Sequence, residues 1–176
     1  MGRISTRGKW TEASIGGISG LNTPYIKWGT PAADPLGGQS AYEFVPVSTY
    51  AHLDGTESVL GTFIHHNWAV VMMEASTFTA TLAIDVYFED DNKLHSFLAT
   101  FSHEETLNVG GYQDDLVTLP KIHEPDFVHV DGVGYTVTIT GFSRNGFPKT
   151  NFSSPEGTSN DADIIVKFEP KNPQGS

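Results

Sequence analysis

Two short segments concentrate the side chains able to do chemistry. Phe63-Ile64-His65-His66-Asn67-Trp68 brings together two imidazoles, an amide and an indole, and His103-Glu104-Glu105-Thr106-Leu107-Asn108 adds an imidazole, two carboxylates, a hydroxyl and an amide. Adjacent residues of an extended segment point to opposite faces, so His65 and His66 do not readily ligate one metal ion together. One of them is expected to point inward and fix a turn by hydrogen bonds, with Asn67 bonding the backbone in the Asx manner. Contact with a ligand or metal, and catalysis, are the alternatives. The second segment begins like the zinc-protease pattern HExxH, but that pattern needs a second histidine four residues after the first, on a helix. Leu107 stands there. What remains is an oxygen-rich turn, Glu104, Glu105, Thr106 and Asn108, able to hold Ca²⁺ or merely to cap a strand end.

Asp54-Gly55, Asp90-Asp91-Asn92, Asp114-Asp115 and Asn160-Asp161-Ala162-Asp163 are further acidic turns, and none has the ligand spacing of an EF-hand loop. Glu105 and Asn108 are the preferred calcium ligands, and Asp161 with Asp163, on one face beside the last strand, is a second candidate pair. A solvated loop is the plainer reading of each. Carboxylates are numerous enough to furnish a glycosidase pair, but such a pair is recognised by a separation of about 5 to 9.5 Å, which sequence does not give. Glu104 or Glu105, with His65 or His103 as proton-transfer partner, would carry that enzymatic alternative. There is no GxSxG elbow, P-loop or dinucleotide fingerprint. Trp10, Trp28 and Trp68 could each stack on a sugar ring if partly exposed, against the alternative of core packing. Trp28 and Trp68, joined by His65 and Asn67, are the candidate ligand-binding residues.

Positioning these groups requires a folded scaffold, and the chain is long enough to make one. It has 176 residues, 38% of them hydrophobic and 11% aromatic, which is too apolar for a disordered chain. Ten Lys and Arg oppose 21 Asp and Glu, for a formal charge of −11. That balance repels phosphate backbones, and no basic cluster offsets it, so nucleic acid is not an expected partner. The longest apolar run, Trp68 to Met73, is far below the roughly 20 residues of a membrane helix, so no membrane insertion is expected. Met1-Gly2-Arg3-Ile4-Ser5 is no signal-peptide segment, so an export signal is not expected within this chain. With no cysteine, disulfides, thiolate metal sites and a cysteine nucleophile are excluded together.

The supporting elements read as strands. From Thr77 to Glu89, Phe78, Ala80, Leu82, Ile84, Val86 and Phe88 fall on one face and Thr77, Thr79, Thr81, Ala83, Asp85 and Tyr87 on the other, the period of a half-buried antiparallel strand. After the polar break Glu89 to Lys93, Leu94 to His103 is extended again, so the two form a hairpin. Tyr135, Val137 and Ile139 alternate with threonines, and Ile164, Val166 and Phe168 alternate in the last strand. Arg7 to Glu12, Tyr25 to Trp28, Tyr42 to Val47, Val59 to His65, Trp68 to Met73, Leu116 to Leu119 and Phe127 to Val130 are further candidates, with Gly132-Val133-Gly134 as a hairpin turn. Residues 14 to 40 are otherwise loop-rich. The expected fold is all-β, a single jelly-roll-like β-sandwich of about nine or ten antiparallel strands over residues 1–170, with 171–176 a linker-like tail or cloning remnant. Its core should hold Phe78, Leu82, Ile84, Val86, Phe97, Phe101, Tyr135, Val137, Ile139, Ile164, Val166 and Phe168.

Several segments, taken in order, resemble the bacterial choice-of-anchor K domain family. They are Ile26-Lys27-Trp28-Gly29, Leu60 to Trp68, Phe101 to Asn108, and Tyr135 to Phe142 followed by Glu156 and the last strand; together they cover most of the chain from about Trp10 to Phe168. The family pattern Phe-Thr-His-x-Asn corresponds to Phe63, His65 and Asn67, with Ile64 in place of the usual Thr, so a role for that hydroxyl does not carry over. Its carboxylate, Thr and Asn pattern corresponds to Glu105, Thr106 and Asn108. The resemblance implies an exported, β-rich module of the cell surface and supplies no substrate. The function expected is therefore a secreted or cell-surface non-catalytic module that binds a glycan or matrix component, with calcium as a candidate cofactor. A polysaccharide-active enzyme and a structural self-association domain are the alternatives.

Overall fold

The computed structural model describes residues 1–32, 38–71, 75–106, 114–119 and 126–171. It is all-β and antiparallel, with no helix among the described residues, and so no helix long and apolar enough to cross a membrane. Its strands are β1 (Gly2–Ala13), β2 (Tyr25–Trp28), β3 (Thr30–Pro31), β4 (Ser40–Pro46), β5 (Ser48–Ala51), β6 (Glu57–Asn67), β7 (Val70–Val71), β8 (Thr77–Phe88), β9 (Lys93–Glu104), β10 (Asp115–Thr118), β11 (Asp126–Val130), β12 (Val133–Arg144), β13 (Phe147–Lys149), β14 (Asn151–Ser154) and β15 (Thr158–Pro170). These fifteen among the described residues exceed the nine or ten expected chiefly through β3, β5, β13 and β14, which have at most four residues each and show no clear period. The strand expected over Trp68 to Met73 reduces to β7, with residues 72–74 outside the described ones.

One sheet has the order β14-β10-β9-β8-β1-β5, and the other β11-β12-β15-β6-β4-β2 with β13 added beside β12. β3 and β7 make a separate two-stranded ribbon. The alternation of β8 sends its even-numbered apolar residues inward and its threonines outward, and it pairs along its whole length with β9. The hairpins β11–β12 and β12–β13 turn at Asp131-Gly132 and Asn145-Gly146. All four residues take left-handed φ (51°, 77°, 53° and 79°), as tight two-residue turns between twisted strands require.

The chain passes from one sheet to the other between β4 and β5. There the Thr6 and Val47 backbones bond at 2.9 Å and the Val47 N–H donates to Thr6 Oγ1 at 2.9 Å. Beside this crossing the Phe44 ring lies on the bare backbones of Gly8 and Gly61; a methyl group at Gly8 would stand 2.3 Å from the ring. All twelve expected core residues belong to one buried cluster drawn from both sheets. Its centre is aromatic, with Phe101 5.1 Å from Trp10 and 4.9 Å from Phe63, and Phe63 5.5 Å from Phe142.

Candidate functional site

At one end of this interior the inward positions stop being apolar. The cause in β6 is an irregularity at Leu60: the pairing with β15 steps from Ile165↔Val59 to Ile164↔Gly61, inserting one extra residue. Before it Ser58 and Leu60 are buried; after it the parity changes and Phe63, His65 and Asn67 are buried. The bulge therefore turns His65 inward and His66 outward, where His66 bonds Glu43 at 2.9 Å and Ser159 at 2.7 Å. The turn expected at His65–Asn67 is absent. These residues continue β6, with His65 flanked by Tyr42 on β4 and Asn160 on β15.

From the opposite sheet, β9 runs Phe97, Ala99, Phe101 and His103 inward, and Glu105 follows just past its end. β10 adds Asp115, and β2 adds Trp28. The two imidazoles meet edge to face, centroids 5.1 Å apart at 88°, and Trp28 stacks on His65 at 5.8 Å. His103 Nδ1 lies 2.5 Å from the Tyr42 hydroxyl, and its Nε2 lies 3.1 Å from Glu105 Oε2 and 3.7 Å from Asp115 Oδ2. Trp28 Nε1–H donates to Glu105 Oε2 at 3.3 Å. Asp115 Oδ1 accepts the Thr106 backbone N–H at 2.9 Å and its hydroxyl at 3.2 Å. Asn67 Nδ2 donates to the Ser154 carbonyl at 2.8 Å.

Burial dominates the electrostatics. It holds the His65 imidazole well below its ordinary pKa, helped by His103 and His66, and lowers His103 to about 4 against the pull of Asp115 and Glu104. It raises Glu105 to about 7, opposed by the Trp28 N–H, and raises Asp115 to about 7, reinforced by the Glu105 charge. Tyr42 is pushed well above its ordinary value by burial, then by Asp115 and Glu105, so it stays a neutral phenol. Several atoms here have no hydrogen-bond partner: both ring nitrogens of His65, Asn67 Oδ1, Glu105 Oε1 and Asp115 Oδ2. Buried polar atoms are normally paired, so such a concentration at one place calls for a reason. Among the described residues, one group of three metal-ligating side chains, His65, His103 and Asp115, has its ligand atoms all within 4.8 Å of one another.

Of the residues singled out from sequence, His65, Asn67 and Trp28 are fully buried, so Trp28 offers no indole face to a sugar in solvent. Trp68 is half-buried, its backbone N–H and carbonyl both held by the Ser40 hydroxyl. Glu105 lies in the cluster, while Asn108 falls outside the described residues. Asp161 and Asp163 sit within β15 on its outward face, Asp161 exposed and Asp163 accepting the Thr62 hydroxyl at 2.9 Å, away from the cluster. Sequence reasoning missed Tyr42 and did not join Asp115 or His103 to His65. A usable signal existed for His103, which continues the parity of Phe97, Ala99 and Phe101.

A second region faces solvent. The outer side of the six-stranded sheet carries a shallow trough of about 350 Å³ lined by Thr77, Thr79, Ser102, Glu104, Leu116 and Thr118. Another, of about 340 Å³, is lined by Ser5, Arg7, Asp85, Tyr87 and Leu94. Leu94 and Leu98 are 60% and 62% exposed on this face, amid hydroxyl side chains. Compared with known proteins, the chain matches no family model and no curated sequence.

Proposed function

We propose that the chain is a jelly-roll-like β-sandwich that works as a secreted or cell-surface, non-catalytic binding module. Its ligand, a glycan or matrix polymer, is met on the outer face of the six-stranded sheet. The observation that carries this reading is the composition of that face, where Thr77, Thr79, Ser102 and Thr118 line one shallow trough with Leu116, and Ser5, Arg7, Asp85, Tyr87 and Leu94 line another. Hydroxyls match sugar hydroxyls, and the apolar side chains match the C–H faces of the rings. Two antiparallel sheets around one core support the sandwich. The extracellular setting rests on the resemblance of Leu60 to Trp68 and Phe101 to Asn108 to the choice-of-anchor K family. The enzymatic alternative is less favoured because Glu105, Asp115, His65 and His103 are buried beyond the reach of a polymer, leaving Glu104 as the one member of that candidate set on the surface.

A glycan array followed by a turnover assay on any bound sugar tests this. The reading expects binding without product, lost in Thr79→Arg or Leu94→Arg, each of which fills one trough. Product release would replace it with the enzyme. Silence in both assays would replace it with a structural or self-association domain.

A further inference from the structure

We propose that His65, His103 and Asp115, with Glu105 as fourth donor, form a closed site between the two sheets for one divalent transition ion of the Zn²⁺ class. The inference goes beyond the ligand-binding reading and does not depend on it, since these side chains face the interior and the troughs lie outside. Distances come first. The three ligand atoms lie within 4.8 Å of one another, and His103 Nε2 is already 3.7 Å from Asp115 Oδ2 and 3.1 Å from Glu105 Oε2. Donors sharing one tetrahedral ion at bond lengths of about 2.0–2.2 Å stand about 3.3–3.6 Å apart. Side-chain adjustments of about an ångström would bring His65, His103 and Asp115 to that spacing.

The second observation is what the cluster leaves unused. His65 is fully buried with neither nitrogen hydrogen-bonded, and Asp115 Oδ2 and Glu105 Oε1 also accept no hydrogen bond. An apolar residue would fill the place of His65 without that cost, so a core role alone does not account for an imidazole there. Other contacts already orient three of the four donors. Tyr42 lies at His103 Nδ1, where its oxygen can accept an Nδ1–H and leave the Nε2 lone pair for the ion. Trp28 holds Glu105, and Thr106 occupies Asp115 Oδ1 so that Oδ2 remains for a ligand.

Charge and donor type name the ion. Two neutral imidazoles and two carboxylates carry −2, which one divalent cation neutralises in a dry interior. Two nitrogens and two oxygens suit Zn²⁺ and its neighbours; Ca²⁺ and Mg²⁺ prefer all-oxygen shells, so this is not the calcium ion expected from the acidic turns. With every donor buried and four positions filled, the ion would be structural. It would tie β6 of one sheet to β9 and β10 of the other, a staple in a chain that has no cysteine.

Tag-free protein stripped with EDTA is titrated with Zn²⁺, Co²⁺ and Ca²⁺, following bound metal, melting temperature and the visible Co²⁺ spectrum. The expected result is one Zn²⁺ or Co²⁺ per chain, the intense d–d bands of four-coordinate Co²⁺, and a melting rise of about 5–10 °C at a hundred times the dissociation constant. His65→Gln and Asp115→Asn should weaken binding at least about 100-fold, the upper end of what losing even a supporting contact costs. His66→Ala, on the outward face, should not weaken it. If the ligand variants do not fold, the wild-type stoichiometry and Co²⁺ bands decide. No stoichiometric ion, a weak six-coordinate spectrum, unchanged affinity in folded His65→Gln, or stabilisation by Ca²⁺ in place of Zn²⁺ overturns the proposal.

Discussion

Two ring pairs cross the interior from sheet to sheet with nearly the same geometry. At one end Phe88 of β8 meets Phe168 of β15 edge to face, 5.6 Å apart at 82°, and at the other His103 of β9 meets His65 of β6, 5.1 Å apart at 88°. The phenyl pair gains burial and ring contact and leaves nothing unsatisfied. The imidazole pair occupies equivalent inward positions, yet its His65 brings two nitrogens without hydrogen-bond partners, and beside it lie two carboxylates that burial drives toward the neutral form. Packing alone explains the first pair. The second is expected to lower the stability of the metal-free chain relative to an apolar equivalent, as the proposed site requires.

The largest expected effect sharpens the apolar side of this comparison. Phe168→Ala should destabilise by about 3–5 kcal/mol, since a fully buried ring is lost and neighbours on two sheets only partly collapse. Urea melts would show the midpoint falling with little change in slope. Next comes Gly8→Ala, whose methyl group would meet the Phe44 ring at 2.3 Å and should cost about 1–3 kcal/mol by overpacking. His65→Leu breaks the comparison from the other side. With chelator present it should be neutral or stabilise by about 1 kcal/mol, because it removes buried unsatisfied nitrogens, whereas a clear loss would make His65 an ordinary core residue. Smallest of all, Asp161→Asn, on the outer face of β15, should stay within about 0.5 kcal/mol and leave any calcium response unchanged.

The uneven legibility of the sequence has the same physical root. β8 could be read almost residue by residue because six inward apolar residues alternate with polar ones and no bulge interrupts them. Short strands such as β5 and β14 carry no more than two periods, and their places are set by pairing with β1 and β10. The site was harder to read. His65 and His103 were both visible as chemistry, but which of His65 and His66 turns inward depends on one inserted residue at Leu60, and the one cue to it, Gly61 within the strand, marks a bulge without giving its register. Asp115 resembled any acidic turn until the pairing of β10 with β9 brought it beside His103. Tyr42 carried no motif, and its place in the site comes from its register opposite His65.

The most direct test is a crystal of the tag-free protein grown with Zn²⁺, with data collected on both sides of the zinc absorption edge. A single strong anomalous peak at about 2.0–2.2 Å from a nitrogen of His65, Nε2 of His103 and Oδ2 of Asp115 is the predicted result. Zinc found only at outward histidines such as His66, with His65 and His103 bridged by ordered water or left as they are, would contradict it.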